Sequence, residues 1–234
     1  MRSPRTTGAM PPMKNREPSR ATHAGASAFL ASIDADWARL VAQVGPCGHE
    51  SKPAREPYEA LVRAVAYQQL HVKAGDAILA RLLALHPQQA FPSPAQLLDA
   101  GFDTMRACGF SARKVETIRG IAAATLDGVV PDLATALRLP DEGLIARLSA
   151  LKGIGRWTVE MFLIYSLDRP DILPADDFGV REGYRLLKSL DTAPAPKALA
   201  AIGATWSPHR TAAAWYLWRV PRPSKAKAKQ AAAG

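Results

Sequence analysis

The stretch Leu151-Lys-Gly-Ile-Gly-Arg-Trp-Thr158, with Pro174-Ala-Asp-Asp-Phe178 after it, decides how this chain reads. Gly153 and Gly155 stand one residue apart between two helix-like segments. One runs from Pro140-Asp141 to about Ala150, the other from Arg156 to Leu167. Glycine brings its backbone N–H close to a ligand, because no side chain intervenes and positive φ is open to it. The first N–H groups of the following helix lack partners within the helix, and the local field there favours an anion. Lys152 and Arg156 flank the turn with positive charge. Two readings stand: a tight connection between helices, or a grip for a phosphate made by Lys152, Gly153, Gly155, Arg156 and Thr158.

Outward from this hairpin the periodicity is helical. Ser27 to Val44 carries Phe29, Leu30, Ile33, Trp37, Leu40, Val41 and Val44 on one face. Helices are also expected over Tyr58–Leu70, Ala74–Leu85, Ser111–Thr125, Asp177–Leu190, Pro196–Ala204 and Pro208–Arg219, with Ser111 as an N-cap. No alternating strand lies between them, and no repeat is present. A dinucleotide fold fails because no strand precedes Gly153-Ile-Gly155. The expectation is all-α: two helical lobes with a central cleft, spanning residues 25–220.

The chain has 234 residues, 48% of them hydrophobic, and a formal charge of +9. That length buries a core of one domain or two small lobes. The charge is concentrated at the ends. Residues 1–24 hold Arg2, Arg5, Lys14, Arg16 and Arg20 against Glu17, and residues 221–234 hold Arg222, Lys225, Lys227 and Lys229 with no acid. Both ends read as disordered basic tails, either solubilising or loosely DNA-binding through counterion release. Cys47 and Cys108 are too few for a disulfide framework or a metal cluster. No apolar run reaches a membrane span and the first residues lack a signal-peptide core, so a cytoplasmic protein is expected.

The order helix, Leu-x-Gly-Ile-Gly, helix, Pro-x-Asp-Asp resembles the helix-hairpin-helix DNA glycosylase superfamily. Within it the chain is most similar to the alkylated-base branch, 3-methyladenine DNA glycosylase II. Four segments carry the likeness: Ala66-Tyr-Gln-Gln-Leu-His-Val-Lys-Ala74, Gly109-Phe-Ser-Ala-Arg-Lys114, Leu151 through Tyr184, and Trp206-Ser-Pro-His-Arg210 through Arg219. Longer members carry an N-terminal α/β lobe. Here a tail and one helix precede the matching region, which resembles a compact form.

The resemblance implies a glycosylase that removes alkylated purines from double-stranded DNA in base excision repair. It makes Asp177 the catalytic carboxylate. A fixed carboxylate stabilises the oxocarbenium-like charge that develops as an N-glycosidic bond breaks. Read alone, Asp176 and Asp177 are equally good as helix caps. Trp157 and Trp218 would line the base pocket, with Met161 where some relatives have tyrosine. Aromatic faces suit a purine carrying positive charge; read alone, both tryptophans are equally good as core residues. Leu70 would be the wedge that holds the gap of a flipped base, with Gln69 and His71 at the minor groove. Relatives that cut the strand place a lysine where this chain has Trp157, and an indole forms no imine. No iron–sulfur cysteines follow Cys108. The protein is thus expected to be monofunctional and monomeric, without cofactor, metal or membrane. The alternatives are an oxidised-base glycosylase/lyase and a non-catalytic helix-hairpin-helix DNA-binding module.

Overall fold

The computed structural model describes residues 20–51 and 55–222, with side chains from residue 25 onward. Thirteen α-helices are present among them, and no strand. None is long and apolar enough to cross a membrane. In order they are α1 (Arg20–Ala31), α2 (Ala35–Val44), α3 (Pro57–Tyr67), α4 (Val72–Ala84), α5 (Pro94–Asp99), α6 (Phe102–Ala107) and α7 (Ala112–Leu126). Then follow α8 (Leu133–Arg138), α9 (Asp141–Ser149), α10 (Arg156–Tyr165), α11 (Phe178–Leu187), α12 (Pro196–Gly203) and α13 (Arg210–Leu217). A 3₁₀ turn, Ala204–Trp206, joins the last two. The tails expected at 1–24 and 221–234 fall almost wholly outside the described residues, although α1 already begins at Arg20.

The helices bury two separate cores. One gathers Leu61, Val65, Leu82, Ile118, Ile121, Leu148, Val159 and Leu163 from α3 to α10. The other joins both ends of the chain: Leu30, Trp37 and Leu40 pack with Val180, Leu199, Trp206 and Tyr216. Trp37 meets Trp206 edge to face, with ring centroids 5.3 Å apart, a geometry that adds about 1 kcal/mol to their burial. Trp218 packs against both cores and marks the junction of the lobes.

Local chemistry sets the helix ends. Ser93 and Gln96 close a capping box ahead of α5. The Ser111 hydroxyl accepts from Lys114 N at 3.3 Å, the N-cap expected for α7. The helix expected over Ser27–Val44 is instead two. Asp34 accepts from the backbone of Asp36 and Trp37 at 3.0 and 3.1 Å and starts α2 afresh. Lys188 bridges Asp34 and Asp36 at 2.6 and 2.9 Å, tying this break to the end of α11. The helix expected to reach Leu70 stops at Tyr67. Gln69 takes φ +56°, a left-handed conformation that few side chains adopt, and Leu70 N turns back to the Tyr67 carbonyl at 3.2 Å. His71 therefore sits at the N-cap of α4, not at the carboxyl end of α3.

Candidate active site

Asp177 is the N-cap of α11. Its Oδ1 accepts from Val180 N at 2.8 Å, satisfying one of the orphan donors of the helix start. The capping role and a functional role are therefore not exclusive. Oδ1 also accepts from the indole Nε1 of Trp218 at 2.8 Å, and Oδ2 from the indole Nε1 of Trp157 at 2.9 Å. Trp157 lies in the first turn of α10, in the first lobe, and Trp218 packs against both cores, so the carboxylate is fixed at the junction of the lobes.

The approach of Trp218 depends on glycine. A Cβ on Gly179 would lie 2.9 Å from Trp218 Cδ1 and 3.0 Å from Asp177 Oδ1. One turn later, a Cβ on Gly183 would lie 2.0 Å from the Leu217 carbonyl oxygen. Two small residues on one face of α11 thus let α13 lie against its backbone.

Trp157, Met161 and Tyr165 are spaced four apart and share a face of α10. Trp157 is 45% exposed, whereas Met161 is half-buried and packed on the larger core. Tyr165 stacks on Trp218 with centroids 6.5 Å apart and planes 20° from parallel. Burial raises the Tyr165 hydroxyl pKa. Buried His49 lies beside it, ring centroids 5.4 Å apart, with Nε2 3.3 Å from the Ile164 carbonyl. Tyr165 was absent from the sequence reading, although its spacing from Trp157 and Met161 was there to see. Phe178 was missed as well. It follows Asp177 directly and is 69% exposed, unusual for so large an apolar side chain. Trp206 and Trp215 are core residues.

The hairpin between α9 and α10 divides its two glycines by cause. Gly153 has φ +87°, and a Cβ there would lie 2.2 Å from Thr117 Oγ1. The fold itself demands glycine. Gly155 has φ −88°, and a Cβ there would meet nothing within 4 Å. The protein does not require a glycine at 155. It caps α10 without a side chain, leaving the first N–H groups of that helix open. Ile154 points into the core.

The other residues expected around this turn behave differently. Lys152 is exposed and pairs with Glu116 at 3.0 Å. The Arg156 guanidinium is taken by two glutamates, Glu142 across the hairpin and Glu160 one turn on. Thr158 is buried, so its hydroxyl is not at the hairpin surface. Leu70 is 39% exposed at the tip of the α3–α4 turn, with Gln69 and His71 exposed beside it. That turn is tied to its neighbours. Gln68 Nε2 donates to the Gly153 carbonyl at 3.4 Å, and Lys114 Nζ to the Ala66 carbonyl at 3.0 Å. Lys114, at the end of the Gly109–Lys114 segment, thus ties that segment to the end of α3.

Residues 62–209 match the model of the HhH-GPD superfamily of base excision DNA repair proteins. The chain is 48% identical over 198 residues to DNA-3-methyladenine glycosylase 1 of Schizosaccharomyces pombe, covering 84% of this chain and 87% of that one. A solved structure of the S. pombe 3-methyladenine DNA glycosylase in complex with abasic DNA superposes with a TM-score of 0.75 at 47% identity. It covers 83% of this chain and 95% of that one. A DNA-3-methyladenine glycosidase from Bacillus halodurans also gives a TM-score of 0.75, at 31% identity, covering 85% and 89%.

Proposed function

Because the chain belongs to the HhH-GPD superfamily of base excision DNA repair proteins, we propose that it is a DNA glycosylase. In this reading it hydrolyses the N-glycosidic bond of alkylated purines, 3-methyladenine among them, and leaves the strand uncut. The observation that carries the reading is the triple hold on Asp177: Val180 N and two indole N–H groups, at 2.8, 2.8 and 2.9 Å.

A carboxylate held this way cannot swing. Positive charge developing on the sugar meets a negative group already in place, so no reorganisation is needed at the moment of reaction. The two indoles that aim the carboxylate also offer their faces to the base, fixing base and acid relative to each other. An alkylated purine carries ring charge that draws it to a π-face and makes it a good leaving group. Such a lesion needs little acid assistance.

The DNA-binding reading rests on Gly155. No contact within the fold excludes a side chain there, so the glycine answers to something that approaches from outside. A backbone phosphate over the uncapped start of α10 fits that requirement. The abasic-DNA complex of the S. pombe relative supports the same partner. Leu70, lifted on the strained turn of Gln69, suits a wedge entering the stack as the base leaves it. Uncut product follows from Trp157, which occupies the lysine position of strand-cutting relatives.

The test is base release from methylated duplex, with the freed base identified by mass, for wild type and Asp177→Asn. The variant should fold, bind an abasic duplex and lose roughly a hundredfold or more in rate. Near wild-type release of 3-methyladenine by Asp177→Asn would overturn the assignment. Borohydride should trap no covalent adduct, and a trapped complex would favour a lyase.

A further inference from the structure

We propose that Arg156 is not a phosphate ligand but the bolt of the hairpin: anchored on buried Glu160, it ties α10 to α9 through Glu142 and so holds the phosphate grip and Trp157 in register with Asp177. Glu160 is then a positioning residue, acting through Arg156. The proposal rests on the glycosylase reading only for its consequence for catalysis. The bolt itself is a matter of geometry.

Arg156 Nε donates to Glu160 Oε1 at 2.8 Å, within α10. The other two nitrogens fork onto the two oxygens of Glu142 at 2.7 and 3.2 Å, across the hairpin. One guanidinium therefore spans both helices on either side of Gly153–Gly155. Arg156 immediately precedes Trp157, whose indole holds Asp177 Oδ2. A change in the first turn of α10 is passed directly to the catalytic carboxylate.

Glu160 is an unusual anchor. Its side chain is only 3% exposed, and Oε2 has no hydrogen-bond partner. It borders an open pocket of about 350 Å³ that Asp176 also lines. Charged groups face it there from several elements: Glu142 on α9, Asp176 in the segment before α11, Lys197 on α12, and Arg210 on α13, itself held by Asp171. A purely structural role would be served by glutamine, which keeps a hydrogen bond to Arg156 without a buried charge. Burial pushes the Glu160 carboxyl up to about 7, against the pull of Arg156 and with a further push from Asp176 and Glu142. The anchor thus changes charge near neutral pH. Its ionised form grips Arg156 through a charge-assisted bond, its neutral form through a weaker one.

The experiment uses full-length protein and a duplex carrying a tetrahydrofuran abasic analogue, which reports binding without base release. Affinity and hydrogen exchange at the amides of residues 153–157 are followed from pH 6 to 8 for wild type and Glu160→Gln. The two should agree at pH 6. By pH 8 wild type should bind roughly fivefold tighter and protect those amides more. A wild-type to variant ratio that stays flat with pH would overturn the proposal. So would tighter binding by Glu160→Gln at pH 8, which would mean that Glu160 competes with phosphate for Arg156. Glu142→Gln, at an exposed site, serves as a second variant. It should weaken binding and keep the wild-type pH step; unchanged affinity would also sink the bolt. Because base release is not measured, failure of the glycosylase reading leaves this result intact.

Discussion

Gly183 on α11 lies so close to Leu217 on α13 that a Cβ would stand 2.0 Å from the Leu217 carbonyl oxygen. That oxygen belongs to backbone and cannot step aside as a side chain would. The residue after Leu217 is Trp218, whose indole reaches Asp177. Gly183→Ala should therefore cost about 3 kcal/mol of stability and slow base release beyond what the lost folded fraction explains. Calorimetry beside base release at a temperature where the variant is folded checks this. Intact activity in the folded variant would separate Trp218 from the chemistry.

The two hairpin glycines should separate cleanly. Gly153→Ala places a side chain at positive φ and against Thr117, and should lower stability by about 2 kcal/mol or more. Gly155→Ala should leave stability within roughly 0.5 kcal/mol, yet weaken duplex binding about tenfold by blocking close approach. Denaturant titrations and binding curves on the same two variants decide it. Equal stability losses would mean that Gly155 is a folding glycine after all.

Leu70→Ala should slow excision from paired duplex more than from DNA in which the lesion is already unpaired. A wedge matters only while the stack is trying to close. Single-turnover rates on the two substrates provide the comparison. Equal losses on both would indicate a packing role for this half-exposed side chain.

Glu160 should make stability depend on pH in a definite direction. Its carboxyl rises from an ordinary 4.5 to about 7 on folding. The native state then holds the proton more tightly than the unfolded chain. Stability contributed by the neutral form is complete below about 4.5 and is lost as pH rises through about 7, by roughly 3 kcal/mol in all. Glu160→Gln should lack this decline. Melting temperatures of both proteins between pH 5 and 8 check the sign. The fold thus gives up stability near neutrality to keep a charge at the hairpin.

Much of this architecture was legible because its signals are local. The Gly153–Gly155 turn, the Ser111 cap and the placement of Asp177 ahead of α11 each involve neighbours a few residues apart. The long amphipathic helices showed their faces. The six-residue helices α5, α6 and α8 are too short to display a period and were not expected. The break between α1 and α2 came from an Asp34 cap inside an unbroken apolar pattern. The part that escaped the sequence is tertiary. Nothing within a few residues of Arg156 says that Glu142, fourteen positions earlier, claims its guanidinium, nor that Thr158 turns inward. That both indole nitrogens converge on one carboxylate depends on two lobes meeting, with Trp157 on one and Trp218 where they join.

That convergence has an optical side. The chain holds five tryptophans. Trp37, Trp206 and Trp215 are buried in the second core, where their surroundings are set by the fold. The remaining two donate their N–H groups to Asp177. Indole emission responds to hydrogen bonding at nitrogen and to what stacks on the ring. The site therefore carries its own pair of fluorophores against a constant background, and whatever binds against these two rings can be followed without a label.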